Sequence, residues 1–329
     1  MGNSKKRILI AGGAGYIGSV TVKSLIKKGY DVIVIDNLSK GIKSLVDEKA
    51  KFYHGDLCDK EFVNKVFSEN KIDAVINFAA YKAVGESMQN AVKYSDNITG
   101  MINLLNAMVE NNIKLIIYSS SAAVYGLPDK KIIDENEKTN PINYYGYTKL
   151  ACEDLMSWYS KIYNLKYCSL RYFNVAGDGG LNYVDPEAQN ILPIIMEVVF
   201  GKRDKLTIFG NDYNTIDGTC IRDYIHVLDL VDAHILALNL KQSEIINLGT
   251  SKGFSVKQLL DTTREVIMKD IPFEYGPRRA GDPANLLASN NKAKEILGWE
   301  PKQTLKEMIK STYEAYKSRE QIKWFLRKN

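Results

Sequence analysis

The sequence of 329 residues has few of the side chains that form disulfide bonds or bind metal ions. Its four cysteines are far apart and form no C-x-x-C pair, a usage typical of reduced thiols in the cytosol. Its three histidines have no histidine or cysteine neighbour at the spacing of metal ligands. We therefore expect reduced cysteines and no metal ion held by protein ligands.

Long apolar segments and basic clusters are also missing. The longest candidate for a membrane span, residues 191–200, falls short of the ~20 residues required and contains Pro193 and Glu197. The basic N-terminus is followed by an apolar run that glycines interrupt, so it does not match a signal peptide. The net charge is +5, but the basic residues are scattered rather than arranged in the stripe that nucleic acid requires. We expect a cytoplasmic protein that binds small anionic molecules, not nucleic acid or a membrane.

A glycine-rich loop follows the first apolar run of the chain. Gly12, Gly15 and Gly18 lie between a predicted strand and a predicted helix, and Asp36 ends the next strand about 20 residues later. Glycines let the backbone approach a pyrophosphate, whose charge then lies at the helix N-terminus. The pattern predicts a dinucleotide site. The carboxylate of Asp36 can bind a ribose 2′-hydroxyl and would repel a 2′-phosphate, which favours NAD over NADP.

Strands and helices alternate through the first half of the sequence. The apolar runs at 74–78 and 115–119 lack a polar alternation, which indicates strands buried on both faces of a parallel sheet wrapped by helices. We predict an α/β protein with a Rossmann-type doubly wound parallel sheet in an NAD-binding domain at 1–176. A smaller mixed α/β substrate domain is predicted at 177–329, and a segment near 222–248 is expected to return to the first domain.

A tyrosine and a lysine, Tyr145 and Lys149, lie four residues apart in a predicted helix and are therefore neighbours on its surface. A lysine ammonium there would favour the phenolate, lower the pKa of Tyr145 from about 10, and make it a usable general base. About two Tyr-x-x-x-Lys pairs are expected by chance. The second pair present, Tyr313 and Lys317, is interpreted as a solvated surface pair. One of the serines at 119–121 could donate to a substrate oxygen and contact Tyr145, although a cap or turn also explains serines at a strand end.

Three further charged residues are candidate ligand contacts, each with a structural alternative. Asp56 follows a predicted strand and could meet an adenine, or could cap the next helix. Arg222 and Arg279 could each grip a second pyrophosphate with a guanidinium fork, or form surface salt bridges. Arg279 is the more suggestive of the two because it lies beside Arg278 in a constrained turn at 275–282.

Taken together, the glycine loop, the strand end at 119–126 and the Tyr145/Lys149 pair are similar to those of the extended short-chain dehydrogenase/reductase family. A narrower likeness, to the branch of that family that epimerises UDP-sugars at C4, lies in segments 82–87, 170–174, 208–213, 217–227 and 277–282. The likeness extends from residue 8 to about residue 312.

The resemblance implies an NAD-dependent isomerase in which Tyr145 is the base, Lys149 its electrostatic partner and Ser121 a hydroxyl donor. It implies reversible interconversion of UDP-galactose and UDP-glucose by transient hydride transfer to bound NAD⁺ through a 4-keto intermediate, as in galactose metabolism, and a homodimer. The residues it places around NAD are Gly12, Gly15, Tyr16, Ile17, Gly18, Asp36, Asn37, Leu38, Ser39, Lys40, Gly41, Asp56, Leu57, Phe78, Ala79, Ala80, Tyr81, Lys82, Asn97, Ser121, Tyr145, Lys149 and Phe173. The residues it places around the UDP-sugar are Ser121, Tyr145, Asn174, Asn190, Ile191, Thr207, Ile208, Phe209, Arg222, Arg279 and Asp282. Ala123, where many members have threonine, and Leu286, at a position that varies with pocket size, leave open one sugar contact and the acceptance of N-acetylated sugars.

Other functions share parts of this pattern. A nucleotide-sugar 4,6-dehydratase would resemble its relatives in a Thr-Asp-Glu at the strand end, whereas residues 121–123 are Ser-Ala-Ala. A decarboxylase of the same superfamily is a related alternative. A non-enzymatic NAD-binding sensor would need none of Tyr145, Lys149 and Ser121.

Overall fold

Strands and helices alternate along most of the chain. The computed structural model describes residues 5–279 and 282–328, with side chains as far as residue 321. The strands are β1 (Arg7–Ala11), β2 (Asp31–Asp36), β3 (Lys51–His54), β4 (Ala74–Asn77), β5 (Leu115–Ser121), β6 (Ile132–Ile133), β7 (Lys166–Tyr172), β8 (Asn174–Ala176), β9 (Leu206–Phe209), β10 (Ile221–His226), β11 (Glu244–Leu248), β12 (Gly253–Ser255), β13 (Phe273–Gly276) and β14 (Asn285–Ala288). The helices are α1 (Tyr16–Lys27), α2 (Lys60–Ser68), α3 (Val84–Ser87), α4 (Ala91–Glu110), α5 (Tyr144–Tyr163), α6 (Ile191–Val199), α7 (Val227–Ala237), α8 (Val256–Ile267), α9 (Asn291–Leu297) and α10 (Leu305–Lys328).

A large parallel sheet organises the first half. Seven of the described strands form it in the order β11-β7-β5-β4-β1-β2-β3, and every neighbouring pair is parallel. The strand order reverses at β1, which lies between β2 and β4. Ligands of such sheets bind beyond the carboxyl ends of the strands at this reversal. The predicted Rossmann-type fold class is confirmed.

Side chains of the central strands alternate between two apolar layers. Ile8 and Ile10 of β1 pack in the layer formed with α1 and α7, whereas Leu9 and Ala11 pack in the layer formed with α2, α4 and α5. All four side chains are buried. Because both faces of these strands are covered, the sequence has continuous apolar runs rather than alternating polar residues.

Most strands of the second half belong to two smaller sheets. β10 pairs with β12 in the antiparallel sense and with β8 and β14 in the parallel sense, β14 pairs with β6, and β9 pairs with β13. α6, α8 and α10 pack around a third apolar cluster that includes Ile195, Leu259 and Ile309. β11 belongs to the large sheet through its pairing with β7. The division of the chain at residue 176 stays a prediction.

A membrane-spanning helix and a cluster of metal ligands are both absent from the described ranges, 5–279 and 282–328. No helix there is both long enough and apolar enough to cross a membrane. No group of three His, Cys, Asp or Glu side chains in that part of the chain could hold a metal ion.

Candidate active site

A cleft runs along the carboxyl ends of the central strands. Three cavities of about 140, 290 and 910 Å³ adjoin one another along it and share lining residues. Gly12 and Phe78 are common to the first and second cavities, and Tyr145 and Phe173 to the second and third. The third lies within the range of ligand sites, roughly 300–1,000 Å³.

Almost every residue predicted to bind a ligand lines this cleft. The first cavity contains Gly12, Gly15, Asp36, Asn37, Ser39, Lys40, Gly41, Asp56, Leu57, Phe78, Ala79, Ala80, Tyr81 and Asn97. The second adds Tyr16, Ile17, Gly18, Lys82, Ser121, Tyr145, Lys149, Phe173, Asn174 and Asn190. The third adds Ile191, Thr207, Ile208, Phe209, Arg222, Arg279 and Asp282. Leu38 is not among the lining residues; its amide donates to Asp36 Oδ1 at 2.8 Å.

The glycine loop leaves the N-terminus of α1 open to the cleft. Gly12 has a φ of 78°, and a Cβ on it would lie 2.6 Å from the amide nitrogen of Ala79. A Cβ on Gly18 would lie 2.1 Å from the Gly12 carbonyl oxygen. Gly15 precedes α1 without a side-chain cap, and no acidic residue occupies the first turn. The unpaired amides and the positive end of the helix dipole therefore suit a pyrophosphate.

Two carboxylates lie in the first cavity. Asp36 is 8% exposed and accepts from the amide of Ala14 at 2.9 Å, which leaves further acceptor sites on its oxygens. Asp56 accepts from the Cys58 amide at 2.8 Å and from Asn37 Nδ2 at 2.7 Å. Burial raises the pKa of Asp56, but these hydrogen bonds outweigh it and the pKa lies below its usual value. The alternative that Asp56 caps the next helix is wrong, because the side chain of Asp59 caps α2.

Asn97 lines the first cavity and also holds the loop after β4 in place. Its Oδ1 accepts from the Tyr81 amide at 2.8 Å, and its Nδ2 donates to the Tyr81 carbonyl and to Thr148 Oγ1, both at 3.1 Å. The amide group is thereby occupied on both sides. Asn97 shapes the loop after β4, which carries other cleft residues.

The first two turns of α5 bring Tyr145 and Lys149 to the second cavity. Asn143 caps this helix by accepting from the Gly146 amide at 2.8 Å. Lys149 Nζ lies 5.8 Å from the ring centroid of Tyr145 and donates to the Ser119 carbonyl at 2.7 Å. Ser121, at the end of β5, lines the same cavity as Tyr145 and accepts from the Ala123 amide at 3.1 Å. The predicted triad is thus gathered in one place.

The predicted depression of the Tyr145 pKa by Lys149 is wrong for the chain alone. Burial raises the pKa of Tyr145, and the hydrogen bond from Ser121 only partly offsets this. Burial also lowers the pKa of Lys149 to about 8, which weakens its value as a fixed cation. The helical spacing correctly indicated proximity, but it could not show that both groups are taken out of water.

The third cavity has charged side chains on β10, in the turn before β14, and just before β9, where Arg203 and Lys205 lie. Arg222 Nη1 donates to the carbonyls of Ile221 and Pro283 at 2.9 and 2.8 Å, and Nη2 lies 3.3 Å from Asp282 Oδ1. Arg222 Nη2 is buried without a hydrogen bond. A purely exposed salt bridge therefore does not describe Arg222, whose side chain is 12% exposed.

The neighbouring arginines of the turn have different environments. Arg278 pairs with Asp212 at 2.6 Å and lies over the Tyr213 ring, so it is a structural residue. Arg279 lies over the Phe209 ring, 4.1 Å from its centroid, and lines the cleft. Ala280 and Gly281 of the predicted turn lie outside the described residues.

Other lining residues have more limited roles. Asn190 precedes α6 without using its side chain as a cap, so its amide is available. Asn174 Nδ2 donates to the Asp223 carbonyl at 3.1 Å, and Thr207 Oγ1 donates to Glu274 at 3.2 Å. Ile208 is 1% exposed and packs mainly in the apolar cluster beneath.

Sequence reasoning missed a segment that crosses the cleft, residues 177–189, here called the strap. Tyr183 of the strap stacks on Tyr16 with ring centroids 4.8 Å apart. Asp185 lies 3.7 Å from Lys82, and Glu187 pairs with Lys40. The strap has no regular secondary structure, so no periodicity in the sequence could have located it. Tyr172 was also missed as a cleft residue, although it lies at the end of a strand.

Comparison with known proteins identifies the class to which this site belongs. The family model described as "NAD dependent epimerase/dehydratase family" matches residues 8–249, and the chain belongs to that family. Individual relatives carry a more specific name than the family does. The chain is 46% identical to the UDP-glucose 4-epimerase of Lactobacillus helveticus over 321 residues, 95% of this chain and 97% of the relative. It is 51% identical to that of Streptococcus mutans over 304 residues, 89% of this chain and 91% of the relative. A crystal structure of UDP-glucose 4-epimerase from Stenotrophomonas maltophila, with bound NAD and a formylated UDP-arabinopyranose, superposes with a TM-score of 0.93 at 35% identity, covering 96% and 99% of the two chains.

Proposed function

We propose that the protein interconverts UDP-galactose and UDP-glucose at C4 with NAD as its bound cofactor. The observation that carries the proposal is the position of Tyr145, Ser121 and Lys149. They lie in the second cavity of the cleft, where it meets the third. The relatives named above support the choice of sugar nucleotide.

NAD fits the residues present. The open N-terminus of α1 suits the pyrophosphate, and the close backbone packing at Gly12 and Gly18 leaves no room for side chains. Asp36 retains acceptor capacity for ribose hydroxyls, and Lys149 has two ammonium hydrogens beyond the one given to Ser119. When bound, NAD⁺ supplies the acceptor for a hydride from C4 and the source from which it is returned.

Tyr145 is the proposed general base. It removes the proton of the sugar 4-hydroxyl and returns it to the same oxygen in the second half of the reaction. Ser121, which lines the same cavity as Tyr145, donates a hydrogen bond to the same sugar oxygen and so holds it beside the base. Because burial opposes ionisation of Tyr145, a nearby positive charge is needed, and Lys149 supplies it while protonated.

Tight contacts to the nucleotide and weak contacts to the sugar would let the 4-keto sugar rotate in the cleft and present its other face. Arg222 and Arg279 suit the diphosphate, since a guanidinium fork matches phosphate oxygens. The apolar side chains of Ala122, Phe173 and Leu286 lie together beside Ser121. They offer the hexose no polar group that would fix one face.

The direct test is incubation of the purified protein with UDP-galactose while UDP-glucose is followed. We expect conversion in the wild type. We expect the Tyr145→Phe variant to lose at least ~10²-fold in kcat, the lower range for general base catalysis, while retaining NAD. Near-normal turnover in that variant would refute the assignment of the base. Accumulation of a 4-keto-6-deoxy sugar would indicate a dehydratase, and NAD binding without turnover would indicate a sensor. A parallel assay with UDP-N-acetylgalactosamine would establish the tolerance of the pocket around Ala123 and Leu286.

We also propose a cytoplasmic homodimer. α4 and α5 pack on each other and expose large apolar side chains, including Val92 at 85%, Trp158 at 60% and Ile162 at 64%. Exposed apolar surface of this kind is common at protein interfaces. Light scattering should give a dimer for the wild type and a smaller mass for Trp158→Asp; a monomeric wild type would refute the assembly. Fractionation of the source cells would test the compartment.

A further inference from the structure

A pair of hydroxyl groups lies in the cleft beside Lys149. The hydroxyls of Ser119 and Tyr172 are hydrogen-bonded to each other. The backbone carbonyl of the same serine accepts from Lys149 Nζ at 2.7 Å. Both residues line the second cavity together with Tyr145. Ser119 therefore connects Tyr172 to the lysine.

The strand ends fix this arrangement. β5 and β7 are neighbours, and Ser119 aligns with Leu170 while Ser121 aligns with Tyr172. The ring of Tyr172 packs edge-on against His234, with centroids 6.1 Å apart. Burial raises the pKa of Tyr172, and the nearby Tyr145 raises it further, so its hydroxyl stays neutral. A neutral phenol held in this way is a fixed hydrogen-bonding group rather than a second base.

Lys149 depends on the carbonyl to which this pair is attached. Its side chain is buried, and its residue exposure is 2%. Within the described part of the chain, the Ser119 carbonyl is the hydrogen-bond acceptor of its ammonium group. Cys152 and Glu153 also raise the pKa of Lys149, and the centroid of the Tyr118 ring lies 4.8 Å from its Nζ. An acceptor bonded to the charged form favours protonation and opposes the effect of burial. Movement of the Ser119 peptide would thus change both the position and the charge of Lys149.

We propose that Tyr172 is a positioning residue whose hydrogen bond to Ser119 holds the carbonyl that keeps Lys149 close to Tyr145 and protonated. Its kinetic consequence rests on the proposed epimerisation. The hydroxyl pair is not a proton exit, because in that reaction the proton taken by Tyr145 returns to the same sugar oxygen.

The test is the pH dependence of Tyr172→Phe. We expect kcat to fall by about 10-fold, KM for UDP-galactose to change by less than about 2-fold, and the alkaline limb of the kcat profile to move to lower pH by about 0.5 units. The limb moves down because Lys149 loses part of the interaction that stabilises its charged form. If the alkaline limb of Tyr172→Phe lies at the same pH as that of the wild type, the proposal is overturned.

Matched variants separate this role from a general loss of packing. Ser119→Ala should reproduce the shift, whereas Ser119→Thr, which keeps the hydroxyl, should have the wild-type profile. Tyr172→Phe combined with Ser119→Ala should be no worse than the more affected single variant, because both substitutions remove the same hydrogen bond. Additive losses would contradict the proposal. Tyr159→Phe is the control, since it also removes one hydroxyl bond, to Asn106 at 2.6 Å, on a side chain that is not among the cleft-lining residues. It should behave as the wild type.

NAD binding provides a readout that does not require epimerisation. If the wild type does not turn over UDP-galactose, the proposed function fails, but the pH at which NAD binding is half lost still reports on Lys149. Tyr172→Phe and Ser119→Ala should both lower that pH. Equal values in the wild type and both variants would refute the positioning role alone.

Discussion

Replacement of Glu153 by glutamine should destabilise the protein strongly. Glu153 lies one turn beyond Lys149 on α5, and its Oε1 accepts from Arg171 Nε at 3.0 Å and from Ser120 Oγ at 2.5 Å. The Arg171 and Glu153 side chains are 4% and 3% exposed. Removal of one partner from such a buried pair costs about 3–5 kcal/mol, because the remaining charge is left uncompensated.

The expected change in melting temperature follows from chain length. An unfolding entropy of about 2.1 cal/mol/K per residue gives ~0.7 kcal/mol/K for 329 residues. The variant should therefore melt about 4–7 °C lower by calorimetry. Asp261→Asn is the control, because its ion pair with Lys257 is exposed and worth at most about 1 kcal/mol.

A second substitution tests the origin of the loss. Because buried ion pairs are costly to desolvate, Glu153→Met combined with Arg171→Met should recover most of the stability lost by Glu153→Gln. If Glu153→Gln melts no lower than Asp261→Asn, the reasoning from the buried charge is refuted.

Three further predictions concern the cofactor and acid stability. Asp36→Asn should bind NAD about 10-fold more weakly and should have a smaller preference for NAD over NADP, because the charge that repels the 2′-phosphate is lost. Fluorescence titration with both nucleotides would measure this, and an unchanged preference would contradict the role of Asp36. Tyr183→Ala should release NAD about 2- to 10-fold faster in a desalting assay, since it loses the stack on Tyr16, worth about 0.5–1.5 kcal/mol; an unchanged rate would argue against the strap as a barrier. Burial lowers the pKa of His234 to about 4, below its unfolded value of about 6.5. The unfolded state therefore binds the proton first, and stability is lost as pH falls from about 6.5 to 4, by up to ~1.4 kcal/mol per pH unit. Urea unfolding of His234→Leu at pH 6.5 and 5 should show a smaller acid loss than the wild type, and an equal loss would refute this.

The sequence predicted the site best where chemistry follows from local geometry. The spacing of Tyr145 and Lys149 on a helix, and the position of Ser121 at a strand end, were sufficient to place them near one another. The glycine loop was recognisable from the spacing of its glycines. The structure explains that spacing, because a Cβ on Gly12 or Gly18 would meet backbone atoms at distances that no side chain tolerates.

Properties that depend on the folded environment could not be predicted in this way. The pKa of Tyr145 is raised rather than lowered, because burial is set by the surrounding elements. Asp59, not Asp56, caps α2, and the two differ only by three positions in the same loop. Asn97 hydrogen-bonds to the backbone of Tyr81, 16 residues away, which no local pattern in the sequence indicates.

The connections at Phe173 and at His226 limit how substrate specificity can change. Phe173 is the single residue between β7 of the large sheet and β8 of the smaller one, and β10 runs directly into α7, which packs beneath the large sheet. The chain thus passes between the two sheets at several points within a few residues. Transplanting the second half as a module between relatives would sever these crossings. New sugar preferences are therefore more accessible through single replacements in the cavity wall than through exchange of whole units.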